Sequence, residues 1–491
     1  NGVIRISGDG GNSFGALEGS ANPNLQFSAD SPIVSGTVMF DRYYMCDGSK
    51  YLLIDTNKRR IYNWADMTWN VEKDESGVPL LTDPDGWDLD QDPPVPFDTS
   101  DKTKYIPGGN DDLNQKCSLI TTWLGRIVMA GKPDEPNNWF MSAIASTDDM
   151  AADGVENCNI GPNDWNFAYD GDSAGFGAIA GNSTRLSEIG DPITSIFPFH
   201  DKNLVFGCTN SIYILTDDPG PVDTAAEIRT ISQDIGILSA NSWCHGPNRS
   251  LYFFGQNGLY RMAPNEFNVN QANRVSSGRL DKTFSNIDAT RFNITLCYDY
   301  SVYGVHIFLQ PKAAPLTNEP MQHYFYDERT DSLWPMEYPG QTGPSSAMTF
   351  NSLDPSSRRV LLGGYDGVIR YFSQLALQDN NATPIDSHVW IGPIFIDNVT
   401  ETKLMRIAGI LDKDSSSVSY EVYVGDTADE AIASSPVITS EWSKGRNPWQ
   451  YSRARGHSIF VKLSSNIAAV PWAIEKITAT IAVAGRARDR S

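Results

Sequence analysis

The sequence predicts an all-β protein: an irregular β-propeller of about six blades, followed by a C-terminal β-sandwich or jelly-roll-like domain. Three observations predict it. A hairpin phrase recurs without being copied: Leu204–Leu215, Leu251–Met262 and Val360–Phe372 each run from an apolar stretch through a small-residue break and a turn into a second aromatic-aliphatic stretch. A hairpin cannot bury its own apolar face, so repeated hairpins imply stacked sheets, and radial stacking gives a propeller. Forty glycines, 29 prolines and 11% aromatics in 491 residues suit a turn-rich chain. Helical periodicity is confined to two short stretches, Ala225–Ile231 and Ala428–Ala433. Past about Leu377 the phrase disappears and longer alternating strands replace it.

Residues 1–30 show no periodicity and read as an extended arm. The first repeat holds Thr37–Gly48, Tyr51–Asp55 and Arg60–Trp64; the second holds Cys117–Gly131 and Asn138–Ile144. The third runs from Ile193 to Leu215, the fourth from Ile228 to Met262, the fifth from Asn293 to Trp334, and the sixth from Ser345 to Phe372. The Asn257-Gly258 and Asp366-Gly367 pairs predict tight primed turns, which need positive φ. Loop-rich insertions fall at about 70–115 and 150–190, so the propeller is expected over 31–377. Polar Gln378–Pro384 links it to a sandwich over 378–491, with strands at Val389–Ile396, Lys403–Leu411, Val418–Val424, Ser458–Leu463 and Ile474–Val483.

A net charge of −22 argues against a surface built to grip nucleic acid, whose phosphates call for Lys and Arg. It suits a wall past which DNA slides, or simply solubility. No stretch approaches the roughly 20 apolar residues of a membrane span. The polar, glycine-rich start shows no signal peptide, and without an initiator Met, Asn1 is not taken as the natural start. Six scattered cysteines (Cys46, Cys117, Cys158, Cys208, Cys244 and Cys297) form no CxxC. They read as free thiols rather than a disulfide framework or zinc site.

Candidate chemistry is sparse. Asp83–Asp92 carries five carboxylates in a glycine-containing loop able to ligate Ca²⁺, but it lacks the position-12 glutamate of an EF-hand. A solvated acidic loop is the preferred reading, and no metal or other cofactor is expected. His200 and His245 read as turn histidines, exposed or satisfied. Asp47, Asp201, Asp299 and Asp366 lie near repeat turns, where a propeller glycosidase places its carboxylates. Local turn hydrogen bonding explains them more simply, so the chain is expected not to be an enzyme. Within Glu441–Phe460, Arg446, Arg453, Arg455 and Lys444 alternate with Trp442, Trp449 and Tyr451. Stacking and cationic contact to nucleic acid is one reading. The favoured reading is a subunit interface in which Arg446, Trp449, Arg453 and Arg455 meet an acidic neighbour.

The order of parts resembles the tail nozzle (tail hub) proteins of short-tailed bacteriophages. The resemblance is carried by Asp191–Leu215, Ile231–Cys244 and Leu251–Phe254. It continues through the C-terminal Trp442, Gly445–Trp449, Arg453–His457 and Trp472–Ile477. It spans roughly residues 35–485, and the insertions depart from the simpler nozzle pattern. It implies a virion structural protein forming a homohexameric ring that continues the DNA ejection channel below the portal and adaptor and docks tail fibres or spikes. A secreted carbohydrate-binding or glycoside-cleaving propeller, and a minor tail protein of a long-tailed phage, are the alternatives.

Overall fold

A computed structural model describes residues 4–64, 116–144, 177–220 and 226–486 apart from short internal stretches, together with 87–88, 95–96, 106–108 and Trp165. The chain divides into two compact units, Asn1–Tyr371 and Phe372–Ser491. Most of the 70–115 and 150–190 insertions, the side chains of the Asp83–Asp92 loop, and Cys158 lie outside the described residues.

The first unit is an irregular β-propeller of six consecutive antiparallel meanders. Blade 1 comprises Ser35–Met39, Arg42–Cys46, Tyr51–Asp55 and Arg60–Asn63. Blade 2 comprises Leu119–Trp123, Arg126–Lys132, Glu135–Met141 and Ile179–Ala180; blade 3, Ile193–Phe199, Asn203–Cys208, Ile212–Thr216 and Glu227–Ser232. Blade 4 holds Trp243–His245, Leu251–Gly255, Gly258–Met262 and Asn273–Arg274, and blade 5 holds Phe292–Asp299, Gly304–Pro311, Pro320–Asp327 and Ser332–Pro339. Blade 6 has three strands, Pro344–Phe350, Arg359–Gly364 and Ile369–Tyr371.

Middle strands such as Asn203–Cys208 and Leu251–Gly255 are buried on both faces, which is why they read as continuous apolar runs. Their two faces serve different neighbours. Leu204 and Phe206 pack toward blade 2 with Trp139 and Val128, whereas Val205 packs toward blade 4 with Phe253 and Tyr260. Blades 1 and 2 share Tyr44, Trp64, Ile127 and Met129, and blades 4 and 5 share Tyr252, Phe254, Leu296 and Tyr324. Each such aromatic, fully buried, contributes about 1.5–3 kcal/mol.

The two ends of the array are finished differently. The outer face of blade 1 (Met45, Leu52, Ile54, Ile61) is covered by Leu17, Leu25 and Phe27 from the N-terminal segment. Blade 6 instead leaves Met348, Ile369 and Tyr371 about half exposed, at 55%, 49% and 54%.

Two expectations are corrected. The expected helix at Ala225–Ile231 is overturned over its described residues, 226–231: Glu227–Ser232 is the fourth strand of blade 3, where Ile228 packs toward blade 2 and Ile231 toward blade 4. Pairing with Ile212–Thr216 outweighs a weak helical pattern there, and it moves the start of blade 4 from Ile228 to Trp243. The hairpin turns are also not those expected. In Asp366-Gly367 only the glycine is left-handed, at φ +78, and its amide donates to the Gly364 carbonyl at 3.0 Å. The loop is therefore a turn closed by a left-handed glycine, and Asn257 likewise stays out of the left-handed region. A two-residue loop with both φ positive occurs at Leu124 and Gly125, where Trp123 pairs with Arg126.

The second unit is a β-sandwich. One sheet orders Ser387–Ile394, Ser458–Ser465, Val418–Gly425 and Ile438–Trp442; the other orders Gly445–Gly456, Thr400–Leu411 and Ile474–Arg486. Leu404, Ile407 and Leu411 from one sheet meet Val422, Trp442 and Val461 from the other. Gly409 is required beneath Trp442, because a Cβ there would sit 2.5 Å from the indole ring. The Ala428–Ala433 helix forms as expected, with a Thr427/Glu430 capping box.

Candidate functional site

The four residues singled out as an interface, Arg446, Trp449, Arg453 and Arg455, all lie on Gly445–Gly456, an edge strand of the three-stranded sheet. Leu404, Ile407, Leu411 and Ala454 turn into the core, so alternation sends their neighbours outward. Residues directly opposite across an antiparallel pair share a face. Register sets Arg446 beside Ile410, with Lys476 on the far strand; Tyr451 beside Arg406, with Thr480 beyond; and Arg455 beside Lys403.

One outer face thus gathers Lys403, Arg406, Arg446, Arg453, Arg455 and Lys476 around Trp449 and Tyr451. The centre is held from two sides. The Arg406 guanidinium lies 4.4 Å from the Trp449 ring centroid, and its Nε donates to Thr480 Oγ1 at 3.1 Å. Trp449 is 40% exposed and Tyr451 77%. Register shifts between Leu404 and Arg406 and between Ile407 and Gly409 mark two bulges. Arg453 sits at the first with φ +54, a left-handed conformation costly for arginine. The carboxylate paired on this face is Glu401, which accepts from Arg455 Nε, and Glu475 lies at a further register shift next to Lys476.

Charge separates the units. The propeller unit holds 26 Lys and Arg against 47 Asp and Glu, a net −21; the sandwich unit holds 12 against 13, a net −1. The cationic aromatic face therefore belongs to a near-neutral domain in a chain whose other unit is strongly acidic. An exposed tryptophan clamped by an arginine, with an exposed tyrosine beside it, is the chemistry found at the energetic centre of protein interfaces. On the propeller, Asp134, Glu135 and Glu188 line a cleft of about 330 Å³ beside Trp139. Lys132 already reaches Asp134 at 2.6 Å and Glu135 at 3.2 Å.

The other sequence candidates are placed elsewhere. Asp47 accepts from the Ser49 and Lys50 amides, Asp299 from the Ser301 amide, and Asp366 from the Val368 amide and Arg370, so each serves its own turn. Asp201 lines a cleft together with His200 and His245. Among the described residues, no group of three or more His, Cys, Asp or Glu side chains is arranged to hold a metal ion. Cys46, Cys117, Cys208, Cys244 and Cys297 are buried free thiols, and burial pushes Cys117, Cys208 and Cys297 up to about 12.

Sequence reasoning missed Lys403, Arg406 and Lys476. Their only signal was to stand at polar positions of alternating strands far from Arg446 in the chain. Arg126 was missed too: fully buried, it donates to the Ser142 and Gly177 carbonyls at 2.7 Å each and pairs with Asp218 at 3.0 Å.

No protein-family model matches the chain, and no curated protein does. Among solved structures, the N-terminal domain of Nup159 is similar at a TM-score of 0.33 and 8% identity, over 69% of this chain and 73% of that one. An exo-β-1,3-galactanase from Phanerochaete chrysosporium is similar at 0.28 and 8% identity, over 97% and 100%, and Hsv2 from Kluyvelomyces marxianus at 0.26 and 6%, over 64% and 72%. Likenesses of this size carry no functional weight.

Proposed function

We propose that the protein is a non-catalytic structural subunit of a homo-oligomeric ring, in which the cationic aromatic face of one copy docks on the acidic propeller of the next. The observation that carries this reading is the segregation of charge: a propeller at −21 and a near-neutral sandwich with six outward cations around Trp449 and Tyr451. Such a contact is heterologous, and heterologous contacts generate rings when the rotation closes.

The assembly we propose is the tail nozzle of a short-tailed phage, a homohexamer below the portal and adaptor. Its acidic propellers would repel phosphate from a DNA channel, while other surfaces take fibres or spikes. The test is electron microscopy of native source particles decorated with gold-tagged antibody to this chain. Gold at the distal tail, with sixfold averaging of the same particles, is the expected result. Soluble protein absent from any particle overturns the tail reading, and a monomer at low salt and high concentration overturns the ring.

A further inference from the structure

One cleft of the propeller unit is unrelated to the cationic face. It is about 560 Å³ and lies where turns of three successive blades meet. Blade 3 brings His200 and Asp201, blade 4 brings His245 and Arg249, and blade 5 brings Tyr300, over an apolar wall that includes Phe199.

Three features set this cleft apart from an ordinary surface dent. The first is backbone conformation. His200, Asn248 and Arg249 are left-handed, at φ +61, +56 and +58. Asparagine and histidine tolerate that region, whereas arginine adopts it at a cost of order 1 kcal/mol or more.

The second is an unsatisfied group: His200 Nε2 is shielded from solvent and has no hydrogen-bond partner. The histidine expected to be exposed or satisfied is neither at this atom. The third is the balance of donors. Two imidazoles, a guanidinium and a phenol line the cleft against a single carboxylate, Asp201. Arg249 forms no ion pair among the described residues. The Phe199 ring packs edge-on against His200 at 4.3 Å, and the Trp243 ring edge-on against His245 at 5.3 Å. Burial and the neighbouring His200 hold His245 below the usual histidine range, although its bond to the Pro198 carbonyl works the other way.

We propose that this cleft binds a small ligand bearing one oxyanion, a carboxylate or a phosphate, on a body the size of a monosaccharide. The volume falls within the range of small-molecule sites, about 300–1,000 Å³. Arg249 forms a charge-assisted pair with the oxyanion, His245 donates to it, His200 lines the wall beside it, and Tyr300 and Pro247 flank the ligand body. Asp201 is the one carboxylate lining the cleft. The proposal is independent of the tail reading.

The test uses the full chain at pH 6 with four probes: glucuronate, glucose 6-phosphate, inorganic phosphate and glucose, by calorimetry and by the imidazole proton signals of the six histidines. Glucuronate or glucose 6-phosphate is expected to bind and to shift the His200 and His245 signals, with at least tenfold loss in Arg249→Gln and in His245→Gln. Glucose is expected not to bind. A preference for glucuronate assigns the oxyanion as carboxylate, and a preference for glucose 6-phosphate as phosphate. Equal binding of glucose, binding unchanged in Arg249→Gln, inorganic phosphate binding as tightly as both sugar anions, or no binding at millimolar concentration each overturns the proposal. Arg249 is exposed, so its variant is expected to fold; an unchanged melting temperature checks this.

Discussion

The two units solve the same problem, an all-β core, with opposite surfaces. The propeller spreads its core over separate clusters between neighbouring blades, and its unit carries nearly all of the net negative charge. The sandwich concentrates one core around Trp442 and turns an outer sheet face into a cationic, aromatic surface. Charge and stability are therefore allotted to different parts of the chain, and each can be perturbed without the other.

The largest expected effect is in the sandwich core. Trp442→Ala removes a fully buried indole that packs on Gly409 and lies 4.9 Å from the Tyr420 ring. A loss of about 3–5 kcal/mol is expected, seen by calorimetry as a fall in the sandwich transition with the propeller transition in place. A common shift of both transitions would break the comparison. Next is Arg126→Met in blade 2. It strands Asp218, itself mostly buried, and two carbonyls, at a cost of about 3 kcal/mol. Here the propeller transition alone should fall.

Acid provides a smaller, graded version of the same separation. His323 in blade 5 is fully buried, its Nδ1 accepts from the Leu309 amide at 2.9 Å, and burial lowers its pKa to about 3. Its folded pKa lies below its unfolded value of about 6.5. The unfolded chain therefore takes up a proton that the folded chain refuses, and stability falls as pH drops from about 6.5 toward 3. The slope approaches 1.4 kcal/mol per pH unit. The propeller should melt before the sandwich at pH 5, and His323→Gln should flatten the dependence in urea titrations at pH 7 and 5. The smallest effect on stability is at the surface: Trp449→Ala and Arg406→Ala are expected to change unfolding free energy by less than about 1 kcal/mol. Both should weaken self-association in sedimentation, as raising salt from low to molar concentration should also do. Association unaffected by either change would sever the cationic face from assembly.

Most of the propeller strands were legible because short apolar runs bounded by turn residues stand out, as in Leu204–Cys208 and Leu251–Phe254. Turn chemistry was less so. Asp366-Gly367 signals a turn, but whether the aspartate takes positive φ depends on the length of the loop around it. The arginines of the candidate interface were legible as a cluster, but the edge strand Gly445–Gly456 that carries them was not among the predicted strands. The interface's other half was not legible, because Lys403, Arg406 and Lys476 join Arg446 only through strand register, a pairing that no local pattern encodes. Arg126 is the sharper case. In sequence it is a cation after a Leu-Gly turn, and its burial rests on the Ser142 and Gly177 carbonyls and on Asp218, 92 residues away.

The buried cysteines have a practical consequence. Cys46 and Cys117 sit between blades 1 and 2, Cys208 between blades 2 and 3, and Cys244 between blades 4 and 5, while Cys297 lies beside Thr349 of blade 6, whose hydroxyl donates to the Tyr298 carbonyl. With their thiolates suppressed, these sulfurs react with an alkylating reagent only when their own junction parts. The molecule thus carries a clock at four of its five seams. Mass-resolved alkylation would time the opening of each seam separately, and the seam between blades 3 and 4 would need an introduced thiol to be heard.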